Sequence, residues 1–416
     1  MVHGDPEDRG DWRRLTAIFV IVSFIETVGF GHFFAFLPIL VHNLGVAGPD
    51  AATTVGLLSS TALLLGLPLV PFWGAWADRY NRKAIIVRSA VVEAVLFLLL
   101  SQVHEIWQVF VLIPLAGLNL GNTGVMLAEI TDRTPRHRLG FAMSLVGTAS
   151  PLGISLGPAL GGTLADRFGV QWLFLIDAAL SGLAILLLIA LYHERPDRPR
   201  TTLTVLQLVR RSLSAVVHTP VARAVFAASF LLLLGQRTVF PFLALYVEKL
   251  NGPVLLATTV GLVAGAYGIA AAIGSPLAGR LGDRIGYLPV FGGAVSIAAV
   301  CFLVASLATT LVPFGAAYAV YGICFATASS MLFVLLATRL PADVRSPVLN
   351  LALAPLYLSG IIGSLLSTQL LIATGGDLRP LWVLGAFFTA LCLVPLVAIR
   401  RAARAASIAP AAPAVP

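Results

Sequence analysis

Glu26, His32, Glu93, Asp177 and Arg237 stand inside stretches that are otherwise almost wholly apolar. An ionisable side chain placed so is costly to hold away from water, and its default reading is functional. Glu26 sits near the middle of its stretch. Burial favours the neutral carboxyl, so such a group is able to exchange a proton near physiological pH and to attract a cation once ionised. The competing reading is a protonated Glu bonded to a neighbouring helix. Arg237, beside Gln236, cannot give up its proton and has to find a partner: Glu26, an anionic group of a ligand, or a structural acid on another helix. His32 titrates in the physiological range, yet a lone His on a Phe-rich helix serves equally as a structural residue. Glu93 reads as a packing residue and Asp177 as an interfacial one. In "FGHFFAF", Phe30 and Phe33 share the helical face of Glu26, which makes an apolar, aromatic wall. Asn119 and Asn122 add polarity to another stretch without titrating.

What positions these groups follows from composition. The 416 residues are 58% hydrophobic and 11% charged, with mean hydropathy +0.93. Apolar runs long enough to cross a hydrocarbon core as helix cover 15–41, 54–76, 84–102, 107–129, 140–163, 172–192, 222–247, 257–279, 288–308, 311–336, 347–373 and 380–399. They are spans one to twelve below. In lipid only helices and closed barrels satisfy the backbone, and runs of this length without a period of two exclude a barrel. An all-α integral membrane protein with 12 transmembrane helices is the expected fold class. The first run is too long for a signal-peptide core and reads as a retained helix.

The 27 Lys and Arg residues set the orientation. Arg167, Lys249 and Arg379 fall on one side and Arg237 within a span; the rest gather at the N-terminus, in alternate loops, in the central segment and in the tail. By the positive-inside rule both termini are cytoplasmic. The same bias accounts for the net charge of +8, and no nucleic-acid-binding signature accompanies it. Cys301, Cys324 and Cys392 lie in spans without metal or redox spacing and read as packing residues. No phosphate loop, metal cluster or catalytic extramembrane domain is found, so neither an enzyme nor a cofactor is expected.

The chain echoes itself. Residues 53–83 align without a gap on 258–288, an offset of 205, with Thr53, Thr54, Val55, Gly56, Leu57, Pro71, Gly74, Asp78 and Arg79 matching Thr258, Thr259, Val260, Gly261, Leu262, Pro276, Gly279, Asp283 and Arg284. Two parallel halves with a site between them are the architecture of transporters. The expected division is a cytoplasmic N-terminus 1–14, six-helix halves 15–192 and 222–399 joined by a cytoplasmic linker 193–221, and a disordered Ala/Pro-rich tail 400–416.

The loop after span two, Gly74-Ala-Trp-Ala-Asp78-Arg79-Tyr-Asn-Arg82-Lys83, is similar to the G-x-L-A-D-R-x-G-R-K loop of the major facilitator superfamily. Trp76 and Asn81 depart from the usual Leu and Gly. The chain most resembles that superfamily's twelve-span drug:proton antiporters, since span five carries "GISLGPALGG", with Gly153, Gly157, Pro158, Gly161 and Gly162, close to the antiporter signature G-x3-G-P-x2-G-G. Glycines four apart give a smooth packing face and Pro158 a kink. The resemblance implies that Asp78 meets the N-terminus of span eleven, which begins at Ser346-Pro347, a good cap. Arg79 and Arg82 would pair with Asp132 or Glu129, and the whole would latch the cytoplasmic side. If these charges only set topology, no latch exists. One departure is notable: Ile113 stands where the antiporters carry an Arg in span four.

The expectation is a secondary active transporter working by alternating access, exporting small amphiphilic compounds in exchange for protons, with Glu26 as carboxyl switch and Arg237 as its modulator. It would be a monomer in a bacterial inner membrane. The alternative is the same fold moving sugars, metabolites or lysolipids without protons; a non-transporting sensor or scaffold is more remote.

Overall fold

The computed structural model describes residues 8–69, 76, 81–119, 122–194, 204–340, 348, 351 and 354–397. Their regular structure is helical throughout, as a chain without water along its backbone requires. Eleven helices among the described residues are long and apolar enough to cross a membrane: Asp11–Asn43, Gly48–Leu69, Ile106–Arg133, Phe141–Phe168, Val170–Leu191, Pro220–Asn251, Leu256–Ile285, Tyr287–Leu307, Leu311–Leu336, Ala354–Ala373 and Arg379–Val397. The place of span three is taken by the helix Arg82–Leu100, which carries Arg88 and Glu93. Asn81 starts it, its Oδ1 accepting from the Ala84 N–H at 2.8 Å. Gly74, Asp78, Arg79, Ser346, Pro347 and the tail 400–416 lie outside the described residues.

Two spans are interrupted where polar groups collect. Span four runs as α-helix over Ile106–Leu112, tightens to a 3₁₀ helix over Ile113–Asn119 and resumes at Asn122–Arg133. Span seven stops at Arg237, passes through the 3₁₀ turn Phe240–Phe242 around Pro241 and resumes at Leu243–Asn251. A proline inside an α-helix removes a backbone bond and clashes with the preceding turn. Pro114 and Pro241 sit at these breaks. The central segment is not bare linker, because Val205–His218 forms a helix capped by Thr204 and Gln207.

The echo in the sequence returns as an echo in packing. Spans one and five, three and six, and one and six pack together, and so do seven and eleven, nine and twelve, and seven and twelve. Across the middle, span five packs on span eight and span two on span eleven, which are equivalent pairs at the same offset. The buried apolar side chains form three cores. One, around Trp12, Phe19, Ile86, Met126 and Leu188, belongs to spans one to six at the end carrying the N-terminus. A second, around Val225, Phe291, Met331 and Leu396, belongs to spans seven to twelve at the same end. The third, from Phe33 and Val55 to Tyr246, Val260 and Trp382, unites both sets at the other end. Among the described residues the cores are therefore parted at the end rich in Lys and Arg and joined at the opposite one.

Candidate functional site

The interruption of span four turns two asparagines toward two buried carboxyls. Asn122 Nδ2 donates to Glu26 Oε2 at 2.5 Å, and Asn119 Nδ2 donates to Glu93 Oε2 at 3.0 Å. Among the described residues the second oxygen of Glu26 has no hydrogen-bond partner, while Glu93 also lies beside the Ser181 hydroxyl. Glu93 reaches into span one at Gly29, where an added Cβ would stand 3.1 Å from Glu93 Oε1 and collide with the Phe97 ring. Arg88, on span three, is within electrostatic reach of Glu26, and so is Glu93. Ile113 is fully buried in apolar surroundings. The cation near the carboxyl of span one is thus supplied by span three, one helix before the position where the resemblance looks for it.

A second buried cluster lies about 9 Å farther along span one, six residues at the helical rise. His32 and Asp177 are 4% and 2% exposed. His32 Nδ1 lies 2.9 and 3.0 Å from the two carboxylate oxygens of Asp177, and Nε2 lies 2.7 Å from the Gly157 carbonyl oxygen. Asp177 is therefore no interfacial residue. It lies seven residues into span six, buried at the level of His32.

Gly157 belongs to the glycine face of span five, and that face packs on span one. An added Cβ would meet Thr27 Oγ1 and the Phe24 carbonyl at Gly153, the Val28 carbonyl at Gly157 and the His32 ring at Gly161. The adjacent face meets span eight. A Cβ at Gly162 would lie 2.5 Å from the Ala257 carbonyl, and one at Gly261 would overlap the Pro158 carbonyl. Beyond this contact Asp166 caps the start of span eight, accepting from Ala257 N–H at 3.0 Å, Thr258 N–H at 2.8 Å and Thr258 Oγ1–H at 2.6 Å.

Arg237 is held apart from all of this. No ion pair to it is found among the described residues. Its guanidinium lies 5.9 Å from the Phe34 ring and 5.4 Å from the Phe240 ring, and Tyr267, Tyr318, Tyr321 and Tyr357 surround it. Gln236 Nε2 donates to Tyr267 Oη at 3.0 Å. The expected pairing of Arg237 with Glu26 does not form, because Glu26 turns inward to Asn122. For the same reason Phe33 is no cavity wall: it is buried against Phe34 and Phe174. Phe34 meets Arg237 instead, while Phe30 packs on Phe34 and Phe97.

At the parted end Arg82 Nη1 binds Glu129 Oε2 at 2.7 Å and Asp132 Oδ2 at 2.8 Å. Arg133 joins Glu129 at 2.5 Å and Asp11 at 3.2 Å. Lys83 Nζ donates to the carbonyls of Tyr192 and Ile189 at the end of span six. In the echo of this loop no ion pair to Asp283 or Arg284 is found among the described residues. Asp283 and Arg284 are exposed, Asp283 accepts from Tyr287 Oη at 2.7 Å, and an added Cβ at Gly279 meets nothing within 4 Å.

Arg88 and Asp177 are the site residues that the sequence reading passed over. Arg88 was legible, since it lies inside the apolar run 84–102 rather than before it. Asp177 was visible as a buried acid, but its partner lies 145 positions away in the chain.

The model of the family described as Major Facilitator Superfamily matches residues 19–260 and 225–415. The multidrug resistance protein MdtG of Salmonella dublin is 32% identical over 304 residues, 72% of this chain and 74% of that one. The protein of the same name from Enterobacter lignolyticus is 32% identical over 302 residues, 72% of each. Among solved structures, a point mutant of the nucleoside transporter NupG superposes with TM-score 0.75 at 15% identity, covering 92% of this chain and 99% of that one. A bacterial homologue of the human lysosomal transporter Spinster, in an inward-facing and unoccupied conformation, gives TM-score 0.72 at 16% identity, covering 95% and 98%.

Proposed function

The chain belongs to the major facilitator superfamily, and from that premise we propose that this multi-pass membrane transporter exports small amphiphilic compounds in exchange for protons. Its units of movement are the halves 15–192 and 222–399, and its termini and parted end face the cytoplasm of a bacterial cell. The supporting observation is the setting of Glu26: a carboxyl at mid-membrane with one oxygen on Asn122, the other unbonded, and Arg88 nearby. Such a carboxyl can alternate between a neutral state and one ionised toward the cation. The likeness to multidrug resistance proteins supports the choice of amphiphilic cargo. Arg88 replaces Arg237 as the cation that modulates the switch.

The test is transport in proteoliposomes under an imposed pH gradient, with ethidium, 8-anilinonaphthalene-1-sulfonate and a sugar as probes. Gradient-driven movement of an amphiphile that disappears in Glu26→Gln is the expected result. Movement indifferent to the gradient, or unchanged in Glu26→Gln, overturns the coupling. Arg237 favours a second reading, because a cation ringed by aromatics and with no acid paired to it among the described residues suits a cargo with an anionic or carbonyl group. On that reading the sulfonate moves in preference to ethidium, with or without the gradient.

A further inference from the structure

His32 has two nitrogens and two acceptors. The Gly157 carbonyl has no hydrogen to give, so the 2.7 Å contact at Nε2 is an N–H donation. The contact at Nδ1 with Asp177 then requires one further proton, whether it rides on the ring or on the carboxyl. Remove it and a single N–H faces both acceptors. The carboxylate wins, because a charge-assisted bond is roughly twice as strong as a neutral one. The ring then turns a lone pair toward the Gly157 carbonyl, and the tether between spans one and five is lost.

That tether lies directly beneath the seal. Pro158 follows Gly157 and presents its carbonyl to Gly261 of span eight, and one turn on Gly162 packs on Ala257. We propose that His32 and Asp177 form a second proton-binding site, and that its one proton holds the sealed end shut. This rests on the proton-coupled reading above and extends it. Loaded, the pair fixes span five against span one in the position that meets span eight. Unloaded, it frees span five, so that losing a proton to the cytoplasm and opening on the opposite side become linked events. The direction suits an exporter, which must release its proton inward before it turns outward with cargo.

The surroundings supply a route. From span three Glu93 is within electrostatic reach of both Asp177 and Glu26. Span five presents the Gly157 carbonyl and the bare backbone of Gly161, while Phe36 stacks on the imidazole at 6.1 Å. Glu93 Oε1, set against Gly29, lies between the two proton sites. The proton leaving the pair passes to Glu93 and on toward the parted end without needing Glu26; the transfer breaks one N–H or O–H bond and makes one O–H bond.

The test needs no cargo. Ala257, in the first turn of span eight, is buried in the seal, whereas Val254 in the preceding turn is 74% exposed. With Cys301, Cys324 and Cys392 replaced by Ala, Ala257→Cys is labelled with a membrane-impermeant maleimide. The rate is divided by that of Val254→Cys, which cancels the titration of the thiol itself. Between about pH 6 and about pH 8 the ratio is expected to rise at least about five-fold. In His32→Gln and in Asp177→Asn it should be independent of pH, and in Glu26→Gln the rise should persist. Proton uptake by the purified protein, followed with a pH-sensitive dye over the same interval, should fall by one equivalent in either variant of the pair. A ratio flat in the parent protein, or a rise that survives both variants, overturns the proposal, and so does a rise abolished by Glu26→Gln. Should either variant fail to fold, the dye measurement on the other decides. Failure here leaves the flux test of Glu26 standing, and failure there leaves this one standing.

Discussion

Asn122 brings the only hydrogen bond that Glu26 receives from a side chain among the described residues. Asn122→Ala removes it without touching the acid. An unmatched buried group costs about 1–3 kcal/mol, so a lower unfolding temperature in detergent is expected. Gradient-driven flux should fall, while downhill exchange of the same probe continues. Equal loss of both would mean that Asn122 only holds the fold. The polarity of Asn119 and Asn122 was plain in the sequence, and so was the isolation of Glu26. Their pairing was not, because it depends on the 3₁₀ turn Ile113–Asn119, which advances each residue by more rotation than an α-helix does. The same limit explains Phe33 and Phe34. Whether a face looks into its own half or across the middle is decided by the partner helix, and periodicity along one helix does not contain that information.

Span five shows how an element can be legible in kind and illegible in contact. Its glycines announce close packing, and Gly153, Gly157 and Gly161 do share one face, against span one. The second face, Pro158 and Gly162 against span eight, required the fold. Only Gly261, standing in the echo of Gly56, hinted at it. Both glycines are tight: a Cβ at Gly56 would overlap Thr368 of span eleven just as one at Gly261 would overlap Pro158 of span five. The 205-residue repeat is therefore a repeat of contacts between the halves as well as of sequence. Gly261→Val puts branched carbon against the Pro158 carbonyl and the Ala159 backbone. Overpacking of this kind costs about 1–3 kcal/mol, and it falls on the sealed conformer alone. Labelling of Ala257→Cys should accordingly rise in Gly261→Val at every pH, whereas a seal that tolerates the side chain would leave labelling unchanged. The loop 74–83 is the converse case. Its Arg82 finds Glu129 and Asp132, the acids its sequence proposed, while Asp283 and Arg284 of the echo stand exposed. Tyr287, which the offset places opposite Arg82, bonds to its own neighbour Asp283 instead.

Across the whole molecule one contrast governs the rest: three cores, two of them private to a half and one shared. A transporter that alternates must hold its sealed end with contacts that are strong together and separable as a set. Asp166 is a suitable member, because its three bonds to Ala257 and Thr258 join spans five and eight across the sealed end. Asp166→Ala removes them and leaves both spans intact. At on the order of 1 kcal/mol each, their loss should shift the balance of conformers at least about ten-fold toward the one closed at the basic end. Gly147 reports that shift. It lies eleven residues, close to three whole turns, before Pro158, so it shares the face that looks toward span eight. There it is exposed, with nothing within 4 Å of an added Cβ. Gly147→Cys should react readily with a soluble maleimide from the cytoplasmic side, and in Asp166→Ala it should react more slowly as the halves close over it. If its rate is unchanged by Asp166→Ala, the cap on span eight carries no conformational preference, and the seal rests on the glycine contacts of spans five and eight alone.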